Sequence, residues 1–297
     1  MNNKKLYCDL HTHSTKSDGE LSRAEVIKLA IENSIGALAI TDHNIPFDDL
    51  DELQKKYPEI RLINGAEIST SYHIPGTDEI KEIHVVALDF ENTEHVVSIL
   101  HQNRYDSKDY VNSIIQKLCE AGLEAKFSYD DLRAEHNQEF IGRMAIARKL
   151  VSLGLVRSIE EAFDEYIGDF GKRRAYVRPN VSKYIPMDTA FIEIKKSGGI
   201  PVLCHPYSYN LSEEQVVRLI QDFKNCGGLA METLYSQYTS KQQEKLIAYA
   251  DEYGLLQSAA SDFHGRGKKG SLEHHFPTSI YHDIANMKEQ LLASSSL

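Results

Sequence analysis

The chain has 297 residues, of which 41% are hydrophobic and 26% charged, with a formal net charge of −11. That length allows two domains or one large barrel of strands and helices, and no run approaches the ~20 apolar residues of a membrane span. The negative balance disfavours long duplex nucleic acid, which proteins bind by neutralising phosphates, and leaves small or short substrates.

The start, MNNKKLYCDLHTHS, runs straight into a strand without the apolar core or cleavage site of an export signal, which predicts a cytoplasmic protein. Apolar runs near 6–10, 37–41, 60–64, 83–88, 200–204, 229–233 and 255–260 alternate with helical patterns. They predict seven strands in the βα rhythm of a parallel sheet. A capping box, Ser22 with Glu25, opens the first helix, which ends near Gly36. Helices at about 47–57, 187–197, 212–226 and 239–253 fill the remaining crossovers, and the glycine pairs 198–199 and 227–228 mark two of their ends. The stretch 93–180 breaks this rhythm. It reads as mostly helical, with a second capping box at Ser158 and Glu161, and is expected to be a cap inserted between strands four and five of a barrel formed by 1–92 and 181–297. The final LLASSSL reads as a frayed tail. Cys8, Cys119, Cys204 and Cys226 show no CxxC pairing and sit in apolar contexts, which predicts reduced core thiols.

Nine residues able to ligate a metal lie in or just past these apolar runs: His11, His13, Asp18, His43, Glu67, His84, His205, Asp262 and His264. Barrels of parallel strands gather their chemistry where strands end, so residues far apart in sequence converge there. Core packing alone does not produce such a set, because buried polar groups are costly unless paired or coordinated. Six imidazoles and three carboxylates, with no thiolate, exceed what one ion needs and point to a polynuclear centre. With neutral imidazoles the set carries −3. Three divalent ions would bring +6 and leave +3 to hold an anion. Asp42, one residue before His43, reads as a structural or outer-layer acceptor, and Asp9 likewise. The remaining histidines read as surface or loop residues.

The motifs DLHTHS, TDHN, GAE, the isolated His84, CHP and SDFHG, in that order, resemble those of the PHP (polymerase and histidinol phosphatase) phosphoesterases, from residue 6 to about residue 267. GRMAIARKLV and AFDEYIGDFGKRRAYV look like the branch that removes phosphate from nucleotides or short oligonucleotides. One position departs from that branch: Ala145 stands where it usually carries a histidine. The resemblance implies an α/β fold, a distorted (βα)7 TIM-like barrel with a helical insertion. It also implies a phosphoric ester hydrolase that cleaves a nucleoside 3',5'-bisphosphate, an AMP-like monoester or an oligonucleotide 5' end. A metal-bound hydroxide at a trinuclear site would be the nucleophile, with manganese the first expectation and zinc or iron the alternatives.

Arg143 is the expected phosphate contact because its planar fork suits bidentate binding, and Arg148, on a different helix face, is the second choice. Lys172-Arg173-Arg174 and Arg266 with Lys268-Lys269 are read as basic borders of the mouth that steer an anion, with Arg174 and Lys268 as substrate contacts. Tyr176 is either a stacking platform for a base or a core residue. The alternatives are a histidinol-phosphate phosphatase and a non-catalytic metal-stabilised module. The filled set of nine argues against the latter, which tends to lose ligands.

Overall fold

A computed structural model of the protein describes residues 7–91, 94–104, 107–136, 141–168, 172, 181–265 and 271–295. Seven strands, β1 (Tyr7–Asp9), β2 (Ile35–Ile40), β3 (Arg61–His73), β4 (Ile80–Leu88), β5 (Ile200–Leu203), β6 (Ala230–Tyr235) and β7 (Leu256–Ala260), form one sheet in chain order. The helices are α1 (Arg23–Glu32), α2 (Leu50–Lys56), α3 (Glu94–Arg104), α4 (Ser107–Glu120), α5 (Tyr129–His136), α6 (Arg143–Ser152), α7 (Ile159–Glu161), α8 (Met187–Lys196), α9 (Glu213–Asn225), α10 (Ser240–Tyr253) and α11 (Ser279–Ser295). The sheet nearly closes on itself. Leu10 N–H donates to the Ala259 carbonyl at 2.9 Å, and Asp262 N–H to the His11 carbonyl at 3.0 Å. Among the described residues no helix is long and apolar enough to cross a membrane.

The sheet is not wholly parallel, contrary to the expectation from the βα rhythm. β4 runs antiparallel to both β3 and β5. A parallel pair needs a crossover of a dozen or more residues, and the short link from His73 to Ile80 permits only a hairpin, with Gly76 at φ +80°. His84 therefore lies within a strand rather than past the end of one.

Alternation along the strands sorts the residues into faces. One buried cluster collects Cys8, Ala37, Ile63, Val86, Val202, Ala230 and Ala259, one from each strand, together with Ile280 and Ile284 of α11. This is the barrel interior, plugged from below by that helix. The outward faces pack under amphipathic helices. α9, with a reciprocal Ser212–Gln215 capping box, buries Val216, Leu219, Ile220 and Phe223 at helical spacing. The Ser22–Glu25 box of α1 forms as expected, and such caps stabilise a helix by about 1 kcal/mol.

Among the described residues between β4 and β5 the chain is mainly helical. Val96, Ile99 and Leu100 of α3 join the barrel's outer core, whereas α4 to α6 share a separate core built on Val111, Ile114, Leu132, Ile146 and Leu150. α5 was not anticipated. It opens on Ser128, whose Oγ accepts from Asp131 N–H at 3.2 Å. The second capping box forms by half: Ser158 caps Glu161 N–H, but the Glu161 carboxylate takes the N–H of Arg157 at 2.6 Å. α11 carries the chain in helix through Leu291 and Leu292 to Ser295, where a frayed tail was expected. All four cysteines are free thiols, but only Cys8 and Cys204 are buried. Cys119 is exposed, because an amphipathic helix turns some of its apolar residues outward.

Candidate metal centre

Glu67 and His84 lie within β3 and β4, and the other donors follow the ends of the remaining strands or sit on the loops beyond them, at the barrel mouth. Glu67 shares the inward parity of Ile63 on β3, and His84 that of Val86 on β4. His11 and His13 follow β1 and are followed by a tight loop to Asp18. A Cβ on Gly19 would lie 2.7 Å from the His13 carbonyl group, so only glycine lets this loop close. Asp42 fastens the loop from inside. It accepts from Ser14 N–H at 2.8 Å, from the Ser14 and Ser17 hydroxyls at 2.7 Å each, and from Arg23 Nε at 3.1 Å. Three residues at the mouth, Asn44, His205 and Asp262, hold positive φ of 52°, 25° and 52°. Such backbone is costly for non-glycine residues and recurs where a site must re-aim a side chain.

The structure brings all nine predicted donors into one connected cluster. His13, Asp18, His43 and His264 each offer an atom within 4.8 Å of the others, as do His11, His13 and Asp262, and likewise His43, Glu67 and His84. Glu67 is the hub. Its Oε2 lies 3.3, 3.2 and 3.0 Å from nitrogens of His11, His13 and His43, and its Oε1 lies 2.7 and 3.1 Å from His84 and His205. His264 Nε2 is 3.1 Å from Asp18 Oδ1.

These contacts suit bound cations better than they suit one another. Nε2 of His11 and of His13 approach to 3.0 Å. Glu67 Oε2 is buried and crowded by three imidazoles, yet among the described residues it makes no well-aligned hydrogen bond, and neither does buried His205 Nδ1. Buried polar atoms in native proteins are almost always satisfied. The hard-to-borderline N and O donors, without a committed thiolate, fit divalent ions of the manganese, zinc or iron kind. Burial draws the His11, His13 and His84 imidazoles down, but neighbouring carboxylates outweigh it: His13 is lifted to about 9 by Asp262, Glu67 and Asp18, and His84 to about 10 by Glu67 and Glu82. The cluster is an electrostatic trap for positive charge.

Sequence reasoning missed a second layer. Glu232 on β6 is buried against His11, and the Tyr235 hydroxyl donates to Asp262 Oδ2 at 2.7 Å. Tyr209 accepts His84 N–H at 2.9 Å and donates to the Cys204 carbonyl at 2.9 Å. The signal for Glu232 was a carboxylate inside the apolar strand AMETLY, where a charge needs a partner.

At the rim, Arg143 opens α6. Its Nη1 donates to the Ile167 carbonyl at 3.4 Å, and its guanidinium lies 5.9 Å from the Phe163 ring centre. Burial raises the Glu82 carboxyl, but His84, Ser69 and Arg143 outweigh it and hold it below its ordinary range, which puts Arg143 within electrostatic reach of the centre. Arg148 comes closer than its helix face suggested, donating to the Asp18 carbonyl at 2.9 Å. Ala145 is buried in the core of the inserted helices. Lys172 is exposed and paired with Glu165 at 2.5 Å. Arg174, Tyr176 and Lys268 lie outside the described residues.

Comparisons with known proteins place the chain in a family. A family profile described as PHP domain matches residues 9–180. A 5'-3' exoribonuclease from Haemophilus influenzae is 36% identical over 86% of this chain and 89% of its own length. A 3',5'-nucleoside bisphosphate phosphatase from Chromobacterium violaceum is 30% identical over 88% of each. Among solved structures, an amidohydrolase from Chromobacterium violaceum with bound sulfate and no metal aligns with a TM-score of 0.78 and 26% identity, over 95% of this chain and 96% of that one.

Proposed function

The chain belongs to the PHP domain family, and from that premise we propose that it is a metal-dependent phosphoesterase of nucleotides or short oligonucleotides. Its substrate would be a nucleoside 3',5'-bisphosphate, an AMP-like monoester or an oligonucleotide 5' end. The observation that carries this reading is the nine-donor cluster around Glu67, whose buried Oε2 has three imidazoles within 3.3 Å and, among the described residues, no well-aligned hydrogen bond. The relatives named above supply the substrate class.

The nine donors would hold three divalent ions, manganese first. When bound, such ions acidify a water for in-line attack on phosphorus and neutralise charge on the phosphate oxygens. The protein's own part is to aim the donors and receive the substrate. Asp42 and Gly19 hold the His13–Asp18 loop in place. Arg143 is assigned to a substrate phosphate, where a guanidinium binds two oxygens at once. Arg148 anchors α6 to the Asp18 loop, so the inserted helices are tied to the centre they would cover. Residues 93–180 act in this reading as a cap that recognises the part of the substrate remote from the reacting phosphate. Binding energy realised there lowers the barrier at phosphorus.

Phosphate release in Mn2+ from a nucleoside 3',5'-bisphosphate, a short 5'-phosphorylated RNA and histidinol phosphate tests this assignment. The specificity constant for the best nucleotide should exceed that for histidinol phosphate by at least about tenfold, worth ~1.4 kcal/mol. A higher constant for histidinol phosphate than for every nucleotide would overturn the nucleotide assignment and leave the metal chemistry standing.

A further inference from the structure

β6 contributes none of the nine donors, yet it faces them. Its inward residue Glu232 is buried, and both carboxylate oxygens are engaged: Oε1 lies 2.6 Å from His11 Nδ1, and Oε2 accepts the His205 backbone N–H at 2.7 Å. The other nitrogen of the same ring, His11 Nε2, is 3.0 Å from His13 Nε2, 3.3 Å from Glu67 Oε2 and 3.7 Å from Asp262 Oδ1. One edge of the imidazole thus faces a carboxylate and the other the donor cluster. A neutral imidazole that donates Nδ1–H has its lone pair on Nε2.

We propose that Glu232 is a positioning residue that fixes the tautomer and direction of His11 while holding the backbone of His205. One side chain thereby aligns donors that follow β1 and β5 on a common cavity. The inference rests on the metal reading given above. Glu232, His11 and Cys204 are close enough to make a donor group of their own, so the rival role is that Glu232 is itself a ligand. The geometry favours positioning, because one oxygen takes the His205 N–H and the other sits 2.6 Å from His11 Nδ1, on the edge of the ring away from the donor cluster. A second observation points the same way. The register of β6 against β7 shifts between Glu232 and Leu234, and beyond the shift Tyr235 donates to Asp262 Oδ2 at 2.7 Å. The strand therefore supports three proposed ligands from behind, His11, His205 and Asp262. Outer partners of this kind set ligand orientation, and their loss typically costs 10–100-fold in metal affinity.

Glu232→Gln is the informative variant because it keeps the shape. Its amide can offer an oxygen to only one of the two N–H groups. If it serves His205, its NH2 faces His11 Nδ1 and drives the ring proton onto Nε2. Metal-free full-length chains would be titrated with Mn2+ in equilibrium dialysis, with bound metal counted by mass spectrometry and metal-free folding followed by circular dichroism. The expected result is an unchanged metal-free spectrum, a 10–100-fold weaker apparent affinity, and the same number of ions per chain at saturation. An affinity equal to that of the unaltered chain overturns the proposal. So does one ion fewer at saturation, which would make Glu232 a ligand. If the glutamine variant does not fold, the same titration of Glu232→Asp decides, since a retracted carboxylate loses its hold on His11, and unchanged affinity again overturns the role. An unaltered chain that binds no Mn2+ would instead refute the metal reading itself and take the proposal with it.

Discussion

Loading the centre with Mn2+ at pH 7 should expel protons, and its affinity should climb steeply with pH. In the metal-free chain burial pulls His13 down, but Asp262 and Glu67 lift it to about 9; at His84 burial is outweighed by Glu67 and Glu82, which lift it to about 10. A liganding imidazole must be neutral. At pH 7 the two deprotonations therefore cost several kcal/mol, at ~1.36 kcal/mol per pH unit. That cost is withheld from the intrinsic metal affinity and returns as the pH approaches 10. The sign follows from the direction of the shifts. Raised values favour the protonated, metal-free state, so acid weakens binding, by about hundredfold per pH unit while both protons are displaced. The same groups stabilise the metal-free fold fully below the ordinary histidine value of 6.5 and cease to do so as pH rises through 9 to 10. Its melting temperature should fall over that interval. Calorimetric titration under argon in buffers of different ionisation enthalpy counts the released protons, with about two or more expected per loaded chain. A count near zero, with affinity flat from pH 7 to 9, would refute the argument.

Three other outcomes follow from the site. Asp262→Asn and His11→Ala, in Mn2+-reconstituted protein, should nearly abolish turnover while circular dichroism still reports a folded barrel; retention of most activity by both would remove the polynuclear mechanism. Arg143→Ala should cost roughly 1.5–3 kcal/mol in kcat/KM, the range of a charge-assisted hydrogen bond, with metal content unchanged and only partial rescue by lysine. Kinetics indistinguishable from the unaltered enzyme would make Arg143 structural. The preference for a nucleotide over histidinol phosphate, read from specificity constants, tests the role of the inserted helices.

Much of this site was legible because metal chemistry restricts residue type and strand ends restrict position. His11 and His13 share a strand parity, Pro206 stops the strand before it, and SDFH repeats the spacing of two donors. What stayed hidden depended on direction and contact. β4 was counted correctly but its sense was not: the apolar runs 60–64 and 83–88 leave 18 residues between them, room for a crossover, and only the continuation of β3 through polar residues to His73 shortens the link to a hairpin. Arg148 was ranked behind Arg143 by helical geometry within α6 alone, whereas the long-range packing of that helix brings it to the Asp18 carbonyl. Glu232 escaped because no spacing rule ties β6 to β1, although their side chains meet at 2.6 Å.

The closing seam of the barrel has a temporal consequence. Asp262 donates its N–H to the carbonyl of His11 at 3.0 Å, so donors near opposite ends of the chain are neighbours only when the last strand docks on the first. On a ribosome adding 5–20 residues per second, the early histidines emerge roughly 10–50 s before their late partners. No partial chain can assemble the full centre, and the high sequence separation of these contacts delays them further. Catalytic competence is thus a late event in the life of the molecule, and any chain cut short before Asp262 would lack it whatever metal surrounds it.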